Sequence, residues 1–97
     1  MSKIILNNEE FNLSSYNKNT YYTGEVISST GSCQLTDADI DTLNTMAQGK
    51  ITSIQIVNDN NQTVYDLNDI DAKIDSINEY YSGMSMSITL NMTFSMT

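Results

Sequence analysis

An α+β fold is what this sequence predicts, mainly antiparallel β-sheet with one short helix (about 36–48) packed on its apolar face. Three stretches carry that prediction. At the end of the chain, Met84, Met86, Ile88, Leu90, Met92, Phe94 and Met96 fall on every second residue, with only Ser, Thr or Asn between them. Successive side chains of a strand point to opposite faces, so this stretch has one dry face and one wet face. Glu25 to Leu35 alternates in the same way, placing Ile27, Ser29, Gly31, Cys33 and Leu35 together. Between the two, Thr36-Asp37-Ala38-Asp39 precedes Ile40, Leu43, Met46 and Ala47, the spacing of a capped amphipathic helix. A helix with one apolar stripe and a sheet with one apolar face each bury what the other exposes.

Taken in order, Lys3 to Leu6 and Phe11 to Leu13 flank Asn7-Asn8-Glu9-Glu10 and read as a hairpin around an Asn-rich turn. Ser14 to Thr23 holds Asn, Ser, Thr and Tyr with no apolar period and reads as a loop. Its Tyr16, Tyr21 and Tyr22 are either an exposed contact patch or tyrosines capping the core edge with their hydroxyls in water. In the helix, Thr36 is the expected N-cap. Asp37, Asp39 and Asp41 complement the positive end of the helix dipole, and Gly49 is the expected left-handed cap. Ile51 to Val57 and Thr63 to Leu67 form a second hairpin around Asn58-Asp59-Asn60-Asn61. Residues 69–81 satisfy two patterns. Ile70, Ile74, Ile77 and Tyr81 fit a helical stripe, while a strand there would give the final strand a partner of matching length across Ser82-Gly83. Completion of the sheet favours the hairpin.

The 97 residues make one domain, 1–97, with room for a single core. Twelve acidic residues against four basic ones, and no His, give a net charge of −8. That balance speaks against nucleic acid and against anionic membrane surfaces, and fits a protein partner or simple solubility. Charged residues are only 16% of the chain, so its polar surface is mostly neutral Asn, Ser and Thr. The start of the sequence lacks the apolar run of a signal peptide and no stretch has the length of a membrane span, so synthesis in a cytoplasm, without later secretion by the usual route, is expected. The sequons at Asn12, Asn61 and Asn91 are then chance matches in a chain rich in these residues.

Candidate chemistry is sparse. Cys33 is the lone cysteine, on an inward strand face, with no His to activate it. Asp37, Asp39 and Asp41 copy the opening of a calcium loop, but Thr42 stands where the loop turns on Gly and Gln48 where it closes with Glu. Asp66, Asp69, Asp71 and Asp75 form a second acidic group with no feature that marks a pocket. A Met-lined strand can be a plastic binding surface, but a core strand covered by the Ile40/Leu43/Ala47 helix is the more ordinary reading; Met96, and with it Met92, could extend past the helix and meet a neighbouring subunit. No catalytic, cofactor-binding or metal residue is assigned, and no cofactor is expected.

The segments KIILNNEEFNLSSY, LTDADIDTLNTMAQGKITSIQIVNDNNQTVYDL and SINEYYSGMSMSITLNMTF, taken as a layout, resemble small accessory proteins of phages and prophages of low-GC Gram-positive bacteria. These occur among tail, baseplate and capsid-decorating components. The resemblance implies a non-enzymatic virion subunit, repeated in an assembly and docking on other virion proteins through sheet edges and loops. Tyr16, Tyr21, Tyr22, Met92 and Met96 are its candidate contacts. The alternative is an acidic inhibitor that imitates nucleic-acid phosphates and occupies the basic channel of a host defence nuclease. Its working surface would be Asp37, Asp39 and Asp41 with Asp66, Asp69, Asp71 and Asp75.

Overall fold

Alternating apolar residues need partners on both sides of each strand, and a single seven-stranded sheet supplies them. The computed structural model describes residues 2–95. The elements are β1 (Lys3–Leu6), β2 (Glu9–Thr23), β3 (Val26–Thr36), α1 (Ile40–Met46), β4 (Ile54–Val57), β5 (Thr63–Leu67), β6 (Ala72–Ser82) and β7 (Ser85–Phe94). Their order across the sheet is β5-β4-β1-β2-β3-β7-β6, with every neighbouring pair antiparallel. This is the α+β fold, mainly sheet, that the alternation predicts.

The centre is the ladder between β3 and β7, from Ser29 opposite Phe94 to Thr36 opposite Ser87. Its inner face sets Cys33 beside Leu90 and Leu35 beside Ile88, all buried. Burying one such aliphatic side chain stabilises the fold by about 1.5–3 kcal/mol. Leu43 of α1 joins this core, with Ile40, Met46 and Ala47 packed around it. Met92 opposes Gly31, and the Phe94 ring lies over that glycine: a Cβ there would stand 2.9 Å from Phe94 Cε2. The ammonium of Lys18 caps the same ring, 4.8 Å from its centroid.

The edges of the sheet are drawn together at one end. The β4–β5 pairing passes Asp69, whose φ is 55°, and continues as two-way backbone bonds of 2.8 and 3.0 Å between Ile51 and Ala72. The chain then becomes β6. One stretch therefore lines both edges, turning a corner at residues 68–71. Asn7 fastens the opposite side of this closure. Its amide donates to the Lys50 carbonyl at 2.8 Å while its side-chain oxygen accepts from the Thr52 backbone at 2.8 Å. Asn7 and Asn8 both have positive φ, 51° and 69°, the requirement of a type I′ hairpin turn.

The expected loop at Ser14–Thr23 is instead the outer half of β2. A bulge between Leu13 and Ser15 explains the missing period. Before it, Phe11 and Leu13 face inward; after it, Tyr16 opposes Cys33 and Lys18 opposes Gly31, so parity changes by one. Residues 69–81 resolve as the hairpin, with a second bulge between Ile74 and Ser76. Ala72 and Ile74 face inward before it, and Ile77 and Tyr81 after it, opposite Leu90 and Met86. The three-residue step from Ile74 to Ile77 is what imitates a helix.

The helix is shorter than 36–48 and differently capped. Thr36 belongs to β3, and Asp37 turns the chain with φ 52°. Asp39 is the N-cap, accepting from the Asp41 amide at 3.0 Å and the Thr42 hydroxyl at 3.1 Å. Gly49 is not left-handed. The last turn tightens instead, with Gln48 N–H donating to Thr45 at 3.2 Å and Gly49 N–H to Met46 at 3.1 Å.

Replacing Gly31 with Ala is expected to destabilise the protein by about 1–3 kcal/mol in urea unfolding, because the new methyl group must displace a packed ring. In the Phe94→Leu background the same substitution should cost clearly less, and equal costs in both backgrounds would remove the ring as the cause.

Candidate interaction surfaces

Two hairpin arms leave the central ladder from opposite ends. Beside β7, β3 is covered only from Ser29 onward, so the β2–β3 hairpin runs on past Phe94 to its turn at Gly24 and Glu25. At the other end the β6–β7 hairpin passes Thr36 to its turn at Gly83 and Met84. Gly24 and Gly83 have φ of 63° and 61°, and each is the first central residue of a two-residue turn, where a side chain would be strained. The molecule is accordingly elongated, 47 × 28 × 21 Å.

Each arm carries exposed apolar and aromatic groups that the core does not use. Tyr21, Tyr22 and Ile27 mark one arm, with Tyr22 75% exposed. Tyr80, Tyr81 and Met84 mark the other, with Tyr81 69% exposed. The Tyr81 hydroxyl donates to Glu79 at 2.7 Å, and that bond to a carboxylate raises the tyrosine's pKa. Both arms also have a bare backbone edge. Beside β2, β1 ends at Lys3 opposite Asn12, and one further bond runs from Leu13 N–H to the Ser2 carbonyl. Among the described residues no strand flanks β2 beyond that point, and none flanks the outer side of β6 over 76–82.

Of the contact residues expected from sequence, Tyr21 and Tyr22 are exposed on the β2–β3 arm. Tyr16 is half-buried, its ring 5.1 Å from that of Tyr65 and the two hydroxyls 3.2 Å apart. Met92 is corrected: at 1% exposure it fills the core beneath α1's side of the sheet, because its strand parity is that of Leu90 and Phe94. Met96 lies outside the described residues. Tyr80, Tyr81 and Met84 join these exposed residues, and the signal for them in the sequence is the strand reading of 69–81, which puts all three at a hairpin tip.

The acidic groups separate. Asp37 and Asp39 line a surface hollow of about 380 Å³ together with Lys3, Glu9 and Glu10, and Asp41 lies in the first turn of the helix. Lys3 pairs with Glu10 there at 3.9 Å. Asp66, Asp69, Asp71 and Asp75 are strung along the corner and β6. Asp66 accepts from Asn68 at 3.0 Å, Asp71 from Lys50 at 3.3 Å, and Asp75 from Thr93. The first bond is local to the corner, and the other two tie the corner to Lys50 and the β6 bulge to β7. Among the described residues no group of three or more His, Cys, Asp or Glu is placed to hold a metal ion. Cys33 is fully buried, and desolvation pushes its thiol up to about 12.

The raised Cys33 and Tyr16 pKa values fix a pH dependence. Burial holds both groups neutral, so the stability linked to them is intact below the unfolded pKa values and falls as pH rises above about 9. The urea midpoint should decline between about pH 9 and pH 12, and Cys33→Ala should flatten the decline; an unchanged slope in that variant would clear the thiol.

Comparison of the chain with protein families, with curated proteins and with solved structures finds no match.

Proposed function

We propose that the chain is a non-enzymatic structural subunit of a phage particle, a tail, baseplate or capsid accessory component that acts through protein–protein contacts. The observation that carries the assembly part of this reading is the pair of opposed arms. Each presents exposed tyrosines and a bare strand edge, the two features by which a rigid sheet adds to a neighbour. The phage assignment rests on the resemblance in layout. On this reading the subunit is made in the host cytoplasm, takes its place in the virion beside other virion proteins, and needs no cofactor, membrane or nucleic acid.

One feature favours a second reading, an inhibitor that imitates nucleic acid. Glu9, Glu10, Asp37 and Asp39 meet around one hollow, a denser acidic surface than the sequence alone suggests. Such a surface would hold a basic channel, and its grip would weaken steeply with salt.

The two readings separate in a pull-down of tagged protein from cells carrying the parent phage. Recovery of capsid or tail proteins that survive about 0.5 M salt is expected, with little change when Asp37, Asp39 and Asp41 are all replaced by Asn. Capture instead of a basic nucleic-acid-binding host protein, released by salt and lost in the triple variant, would contradict the structural reading.

A further inference from the structure

An unpaired strand is a template for another strand, and folded proteins usually blunt long edges with Lys, Pro or a bulge. Here the β5 edge is only five residues long and carries its own bulge against β4. The first part of β6 is blunted by Lys73 and by the bulge at Asp75. Beyond that bulge the seven residues 76–82 hold no Lys, no Pro and no further register shift. From Ser15 onward the outer half of β2 holds no Pro and one Lys, Lys18, whose ammonium lies over the Phe94 ring, and its pairing with β3 is regular from there to the tip.

These two edges match in length, in direction and in charge. Between Glu10 and Glu25, β2 carries a single charge, Lys18. Between Asp75 and the tip, β6 carries a single charge, Glu79. Inward-facing positions are even-numbered on the outer half of β2 and odd-numbered on 76–82, as their opposition to Gly31 and to Ile88 shows. An antiparallel pairing that sets Lys18 against Glu79 therefore also keeps the inner faces of both sheets on one side. It places Thr20 opposite Ile77 and Ser15 opposite Ser82, so that the incoming strand ends where β1 begins to cover β2. Because the arms point to opposite ends of the molecule, an antiparallel overlap holds the two bodies apart. Symmetric alternatives fare worse. Two β6 edges bring Glu79 close to the acidic residues of its twin, and two β2 edges bring Lys18 close to Lys18.

We propose that the β6 edge over 76–82 pairs with the β2 edge over 15–21 of a second copy, joining copies head to tail in one continuous sheet. Such a contact is heterologous, so a joined pair keeps one free β2 edge and one free β6 edge, and the product is a ring or a filament. The inference rests on the assembly reading above and names the subunit's own copy as a partner.

Disulfide trapping tests it. Asn19 and Asn78, both exposed, stand opposite each other in this register. After mild oxidation, a mixture of Asn19→Cys and Asn78→Cys proteins is expected to give a mixed dimer, and the double variant a ladder of higher species. Dimers from Asn78→Cys alone would show a symmetric contact and overturn the proposal, as would monomers throughout. Charge exchange supplies a second readout by sedimentation at increasing concentration. Lys18→Glu alone and Glu79→Lys alone should each weaken self-association about tenfold or more, and mixing the two proteins should restore it. Urea midpoints check that each variant is folded. Failure of the mixture to recover would contradict the register. A chain that stays monomeric yet is recovered with virion proteins would overturn this inference and leave the assembly reading standing.

Discussion

The ladder between β3 and β7 is the constraint on which the remaining structure depends. Among the described residues it is the only place where both strands of a pair are flanked on their far sides by long partners, β2 on one side and β6 on the other. Its inner face is a graded row: bulky Leu35 and Ile88 beside the Thr36 end, Cys33 and Leu90 in the middle, then Gly31 and Ser29 where Met92 and Phe94 come down. Small residues on β3 and large ones on β7 interlock, as a packed interior requires. The Phe94 ring occupies the space that Gly31 leaves and is closed over by Lys18, so the base of the β2–β3 arm is fixed to the end of β7. An arm with a fixed base can present its tyrosines at a defined angle.

The central strands and the helix were legible because their alternation and spacing run unbroken. What the sequence hid was the outer half of β2 and the character of 69–81, and both were hidden by the same device. A bulge inserts one residue and flips the parity of everything after it. The inward set 11, 13, 16, 18 therefore contains polar Lys18 where a strand pattern asks for an apolar residue, and Ile74 and Ile77 acquire a helical spacing. The capping error has a different origin. Thr36 is a good cap residue, but its place opposite Ser87 in the ladder is worth more than a cap, so the helix starts after Asp39. Of the candidate contacts, the exposed tyrosines of β2 were visible as residue types, while Met92 was drawn inward by a parity the alternation itself specified.

The bulges also separate protected edge from bare edge. On β6 the bulge sits beside Asp75, blunting the half nearest the corner, and the half that reaches the tip is regular. On β2 the bulge sits at the point where β1 stops covering the strand. In both arms irregularity ends where exposure begins. That arrangement, together with tyrosines on both arms, makes the edges themselves the surface most suited to contact. The acidic hollow beside α1 contributes to the charge of −8 and keeps the helix face away from other acidic surfaces.

Amide hydrogen exchange, followed at low and at high protein concentration, tests this account most directly. At low concentration the amides of β3 and β7 in the central ladder should exchange slowest, with the outward amides of 15–21 and 76–82 among the fastest in strands. Raising the concentration should slow exchange on both of those edges together and leave the acidic hollow unchanged. Slowing confined to Glu9–Glu10 and Asp37–Asp41, or the absence of slow exchange in β3 and β7, would contradict it.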